Sequence, residues 1–146
     1  MISRHLITIQ QVSRVAGIPS ERQFRQWLNA ALPRKATLSL RIVNAAEGAR
    51  LNAAFRGKAK ATNVLTFVYH ERSAKILEGD IAICAQVVAR EAREQGKSRT
   101  EHYAHLTVHG ALHLAGYDHE SVREAKIMEA REITILAKLG IANPYA

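Results

Sequence analysis

The chain has 146 residues, 47% of them hydrophobic and 23% charged, which suits one domain that buries about two-thirds of its unfolded surface and excludes a disordered chain. A lone cysteine, Cys84, excludes an intramolecular disulfide, and with no run of eighteen apolar residues and no leader-like N-terminus the expectation is a cytoplasmic protein without a membrane partner. The formal net charge of +8 is uneven: residues 1–60 hold eleven Lys/Arg against two Asp/Glu, and residues 61–146 hold ten against eleven, a basic part that suits a polyanion partner or a solvated surface.

His5 to Gln10 reads as a first strand. After the Gly17-Ile18-Pro19 break, Ser20 and Gln23 make a capping box, and Phe24, Trp27, Leu28 and Ala31 recur at helical spacing up to Pro33. Trp27 is therefore expected in the core. Leu38, Leu40 and Ile42 alternate with Ser39 and Arg41, a half-buried strand that completes a β-α-β unit. Asn44 and Glu47 fit a helix start, with Leu51, Ala54 and Phe55 as its apolar stripe and Gly57 as its stop. Arg56 and Lys58 then fall at a helix C-terminus, where they complement the helix dipole or offer a planar fork and an ammonium to a phosphate.

Asn63 to Tyr69 reads as a third strand, Glu71 to Gly79 as a loop and Ile81 to Cys84 as a fourth strand. The short connection makes those two antiparallel, so the sheet is mixed. Cys84 reads as a buried small apolar residue. Val87, Val88 and Ala92 belong to a helix ending at Gly96, and Ser98 with Glu101 caps the next one. That helix carries His102, His105, His109 and His113. Ser121 with Glu124 starts the last helix, whose stripe is Ala125, Met128, Ile135, Leu136 and Leu139. The expected fold is α+β: one domain over residues 1–146, with a mixed sheet of about four strands packed with about five helices.

The chemistry lies in His109-Gly-Ala-Leu-His113-Leu-Ala-Gly116-Tyr117-Asp118-His119. His109 and His113 are four apart, so on a helix both imidazoles leave one face a turn apart, as in zinc sites. Gly116 can end the helix in the left-handed conformation and let His119 return to the same ion. Three imidazoles favour Zn²⁺ over hard cations and leave one tetrahedral position open, which suits catalysis. His105 reads as a packed or hydrogen-bonded histidine, and as the residue that would close the site if zinc were structural. Asp118 and Glu120 are candidates for a base, for acceptors of ligand imidazole N–H groups, or for solvated charges. The same spacing occurs in metzincin proteases, whose general-base glutamate follows the first histidine; Gly110 stands there and weighs against a protease or amidase.

The motif resembles the signature of the YbeY family of bacterial zinc-dependent endoribonucleases. The resemblance extends to Leu51–Lys58, Thr62–Phe67, Gly79–Cys84, Met128 and Pro144-Tyr145, while Ala59, Ala61 and Thr66 stand where the family commonly has an acidic residue, Pro and Ser. It implies a metal-dependent hydrolase domain that binds one Zn²⁺ through His109, His113 and His119, with Arg56 as a functional arginine and Lys58 as a weaker RNA contact. Asp118 would orient a ligand imidazole. The implied substrate is single-stranded RNA, ribosomal RNA in particular, in ribosomal RNA maturation and ribosome quality control, with ribosome-associated proteins as partners. A non-enzymatic RNA-binding protein with structural zinc is the other alternative.

Overall fold

The structure, a computed structural model, describes residues 5–56, 62–71 and 73–146, and of residues 55 and 56 the backbone only. Its elements in chain order are β1 (Leu6–Gln11), α1 (Glu21–Ala31), β2 (Ala36–Val43), α2 (Ala45–Arg56), β3 (Val64–Val68), β4 (Leu77–Cys84), α3 (Ala85–Gln95), α4 (Arg99–Leu114) and α5 (Val122–Lys138). The four strands form one sheet in the order β1-β2-β4-β3. β2 lies parallel to both β1 and β4, and β3 runs antiparallel to β4 at the edge. Among the described residues the expected mixed sheet and five helices are therefore what forms.

The local rules act where the sequence places them. Ser20 Oγ accepts from Gln23 N at 3.2 Å and Gln23 Oε1 accepts from Ser20 N at 3.0 Å, which fixes the start of α1. Phe24, Trp27, Leu28 and Ala31 then point into the core, with Phe24 meeting Trp27 and Tyr103 edge-on at 5.5 and 5.8 Å. In β2, Ala36, Leu38, Leu40 and Ile42 form the buried face. Cys84 and Met128 are buried as packing residues.

Three local expectations change. β4 starts at Leu77 rather than Ile81, because its whole length pairs with β2 from Ala36↔Leu77 onward; Gly79, a turn signal by composition, is an interior strand residue between Leu38 and Val68. α2 buries Gly48 and Asn52, half-buries Leu51 and leaves Ala54 exposed, so Ala54 is not part of its inner face, while the Phe55 side chain lies outside the described residues. At its start, Asn44 Oδ1 accepts from Gln86 Nε2 at 3.1 Å and Gln86 Oε1 accepts from Ala45 N at 2.8 Å, so the cap comes from α3; Glu47 is held by Arg41. Gly57, the expected helix stop, lies outside the described residues.

α4 is the central element, packed against α1, α3, α5, β3 and β4. Ten of its sixteen residues are buried, so its side-chain directions are fixed nearly all round. Gly110 lies where α4 crosses the sheet. A Cβ there would stand 3.0 Å from Ile81 Cγ2 and 3.5 Å from Thr66 Oγ1, so any larger residue would need the Ile81 side chain to give by a few tenths of an ångström for helix and sheet to keep this approach. The close crossing brings the flanking His109 to the sheet edge.

Candidate metal centre

The turn after α4 builds the second half of the site. Gly116 takes φ 106°, its N–H bonds His113 O at 3.0 Å, and Tyr117 N bonds Leu112 O at 3.0 Å. This is a Schellman closure, which satisfies the last carbonyls of the helix and reverses the chain. Asp118 and His119 follow at once, and Ser121 caps α5 by accepting from Glu124 N at 3.1 Å.

The reversal returns His119 to the helix face. Its ring centroid is 5.5 Å from that of His109 and 6.2 Å from that of His113. All three imidazoles line one pocket of about 150 Å³ with Thr62, Asn63, Val64 and Thr66 of the β3 edge. Among the described residues, His113, Asp118 and His119 bring potential ligand atoms within 4.8 Å of one another, a group that does not include His109. Asp118 Oδ1 accepts from the His119 backbone N–H at 2.7 Å and lies 3.7 Å from His119 Nδ1.

Hydrogen bonds set the tautomers on the helix. His113 Nδ1 is 3.1 Å from Tyr117 O, and a carbonyl only accepts, so Nδ1 carries the proton and Nε2 the lone pair. His109 Nδ1 is 2.7 Å from Glu132 Oε2, so the proton on that nitrogen has a carboxylate acceptor. Burial pulls the His113 imidazole below its ordinary range, with Asp118 opposing, which favours the neutral form that metal ligation requires. Imidazoles with their Nδ1 atoms already engaged, sharing one pocket with a third, fit a metal ion.

The other candidates divide. His105 faces away from this group, with Nε2 at 3.1 Å from the Tyr145 hydroxyl; a fourth protein ligand, if there were one, would be Asp118 rather than His105. Arg56 ends α2, and its side chain and all of Lys58 lie outside the described residues. Gly110 bears on the protease alternative: a glutamate there would drive its Cβ against Ile81, so the position of a metzincin base is taken by helix–sheet packing.

Glu132 escaped sequence reasoning, and Tyr145 entered it only through the family resemblance, with no role. Glu132 is completely buried on α5 with its carboxylate at His109, and Tyr145 donates to its Oε1 at 2.5 Å. The signal for Glu132 was available: it lies four residues after Met128 and three before Ile135, an acid within an apolar stripe. Burial pushes its carboxyl upward, and the polar contacts from His105, His109 and Tyr145 more than reverse this, bringing its pKa down to about 2. Asn63, on the pocket rim, is tied inward as well: Nδ2 donates to Glu91 Oε1 at 3.1 Å, and that oxygen also meets His102 Nε2 at 2.9 Å.

Fold and pocket together define a single-domain α+β protein with a histidine-lined candidate metal site. The sequence profile of the Endoribonuclease YbeY family matches residues 7–140. The Endoribonuclease YbeY of Nitrosomonas europaea is 50% identical over 140 residues, covering 96% of this chain and 84% of its own length. That of Thiobacillus denitrificans is 50% identical over 139 residues, covering 95% of each, and that of Stenotrophomonas maltophilia is 54% identical over 140 residues, covering 90% and 87%. A Thermotoga maritima protein of known solution structure shares the fold with a TM-score of 0.59 at 24% identity, covering 92% of this chain and 91% of that one. The chain belongs to the Endoribonuclease YbeY family.

Proposed function

We propose that this chain is a zinc-dependent endoribonuclease that cuts single-stranded RNA, ribosomal RNA foremost, in ribosomal RNA maturation and ribosome quality control. Family membership supplies the reaction class, since the relatives carry the name endoribonuclease. The observation that carries the metal reading is the convergence of His109, His113 and His119 on one pocket, two of them with Nδ1 already bonded to an acceptor. Zinc bound there would supply Lewis acidity toward a phosphodiester oxygen or lower the pKa of a coordinated water.

The chain's own groups do the rest. His109 and His113 present Nε2 from a rigid helix, and His119 closes the set from the turn. Asp118 orders that turn by accepting from the His119 backbone N–H, and its carboxylate stands 3.7 Å from the His119 imidazole, where it would orient the ring electrostatically. Arg56, with Lys58 in support, neutralises charge that builds on the phosphoryl group. Unpaired RNA is the favoured substrate, because a phosphate must come close to a small pocket and single strands adapt to it. No helix among the described residues is long and apolar enough to cross a membrane; a cytoplasmic site of action, beside ribosome-associated proteins, is part of this proposal.

Cleavage of labelled single-stranded RNA, read with zinc content on the same samples, tests it. Wild type should cut, His113→Ala should lose both zinc and cutting, and Arg56→Ala should keep zinc and cut poorly. Equal cutting by all three, or zinc retained without any cutting, would sink the assignment of these residues.

A further inference from the structure

Resting on that zinc reading, we propose that Glu132 is the positioning residue of His109, and that Tyr145 holds Glu132 in place from the C-terminal segment. The hydrogen bonds fit the following proton assignment. Glu132 Oε2 accepts the Nδ1 proton of His109 at 2.7 Å, and Oε1 accepts the Tyr145 hydroxyl proton at 2.5 Å. The Tyr145 oxygen, having given its proton away, accepts from His105 Nε2 at 3.1 Å. His105 Nδ1 is buried with no hydrogen-bond partner among the described residues.

Each link narrows the next. A carboxylate with no exposed surface is stable only if its oxygens are engaged, and here both are. Oε1 is bonded to Tyr145 and Oε2 to His109, with His105 Nε2 3.6 Å from the same Oε2, so the His109 imidazole keeps its proton on Nδ1 and aims Nε2 away from α5. The chain of contacts runs from α4 through α5 to Tyr145 and back to α4, crossing between helices that pack directly. A ligand held this way enters the site with its tautomer already selected, and loss of such a partner typically costs 10–100-fold in metal affinity.

The test uses full-length protein with Glu132→Gln and Tyr145→Phe, beside His109→Ala. Three quantities are read: zinc affinity by competition with a chromophoric chelator, the His109 tautomer by nitrogen-15 NMR of the zinc-free protein above neutral pH, and the melting temperature. Wild-type His109 should be protonated on Nδ1. Glu132→Gln should weaken zinc by about 10–100-fold and mix the His109 tautomers, and Tyr145→Phe should shift both in the same direction by less. If Glu132→Gln does not fold, Tyr145→Phe and the wild-type tautomer decide. The proposal is overturned if wild-type His109 carries its proton on Nε2, or if folded Glu132→Gln and Tyr145→Phe bind zinc as wild type does while His109→Ala loses it. Should His109→Ala itself bind zinc with wild-type affinity, the zinc reading of His109 fails and this proposal fails with it, a result separable from the former.

Discussion

His109 and His119 stand with ring centroids 5.5 Å apart, yet they are held by different means. His109 projects from a helix enclosed by three other helices and the sheet, and its ring is bonded to a carboxylate with no solvent exposure. The His119 side chain is 58% exposed on a turn whose support is the Asp118 carboxylate and one glycine conformation. The proposed ligand set thus has a fixed half, on the enclosed helix, and a half hinged at Gly116, on the exposed turn. Predictions that break or sharpen the contrast follow from the two halves separately.

The largest effect is expected in the fixed half. Gly110→Glu should destabilise the fold by more than about 3 kcal/mol, since it overpacks the Ile81 contact and buries a carboxylate with it; chemical denaturation reads this, and a stable variant would show that α4 is not clamped on the sheet. Next comes the hinge. Gly116→Ala places a Cβ at φ 106° and should cost about 1–3 kcal/mol while lowering zinc affinity, with the His109 tautomer unchanged. A shifted His109 signal in that variant would mean that the two halves are not separate.

The third expectation concerns acid. Burial lowers the His102 pKa below 6.5, with Glu91 opposing the shift and Lys97 and His105 adding to it. The unfolded chain therefore takes up a proton that the folded chain refuses. Stability should be full above pH 6.5 and fall as pH drops below it, by up to about 1.4 kcal/mol per pH unit for this one group. His102→Gln should flatten part of that slope in urea titrations; an unchanged slope would place the acid sensitivity elsewhere. The smallest effect belongs to His119→Ala, which should alter zinc-free stability by no more than about 0.5 kcal/mol and still abolish tight zinc binding.

The elements that sequence places well are those with a local cause. The capping boxes at Ser20 and Ser98 and the alternation in β2 each rest on contacts within a few residues, and each appears as read. The grouping of three histidines is local too, because a single helical turn and a Schellman reversal connect them. What sequence did not give is tertiary. The cap on α2 comes from Gln86, 41 residues on, and the partner of His109 is Glu132, 23 residues on. The start of β4 depends on pairing with β2, which no feature of Leu77–Gly79 announces. Glu132 shows the limit most clearly: its type marks it as surface, and only its position on the stripe argues otherwise.

The closeness of the three histidines along the chain also bears on linkage between metal and folding. An unfolded chain retains imidazoles at 109, 113 and 119 within eleven residues, so it remains a flexible chelator. Stabilisation by zinc follows the ratio of native to unfolded affinity, and binding to the unfolded chain reduces it. Zinc should accordingly raise the melting temperature by less than its native affinity alone implies, and the surplus that remains measures the preorganisation that Glu132, Tyr117 and the helix supply. A nascent chain could by the same token capture its ion before β3 has found β4, making the metal an early guest of folding rather than a late one.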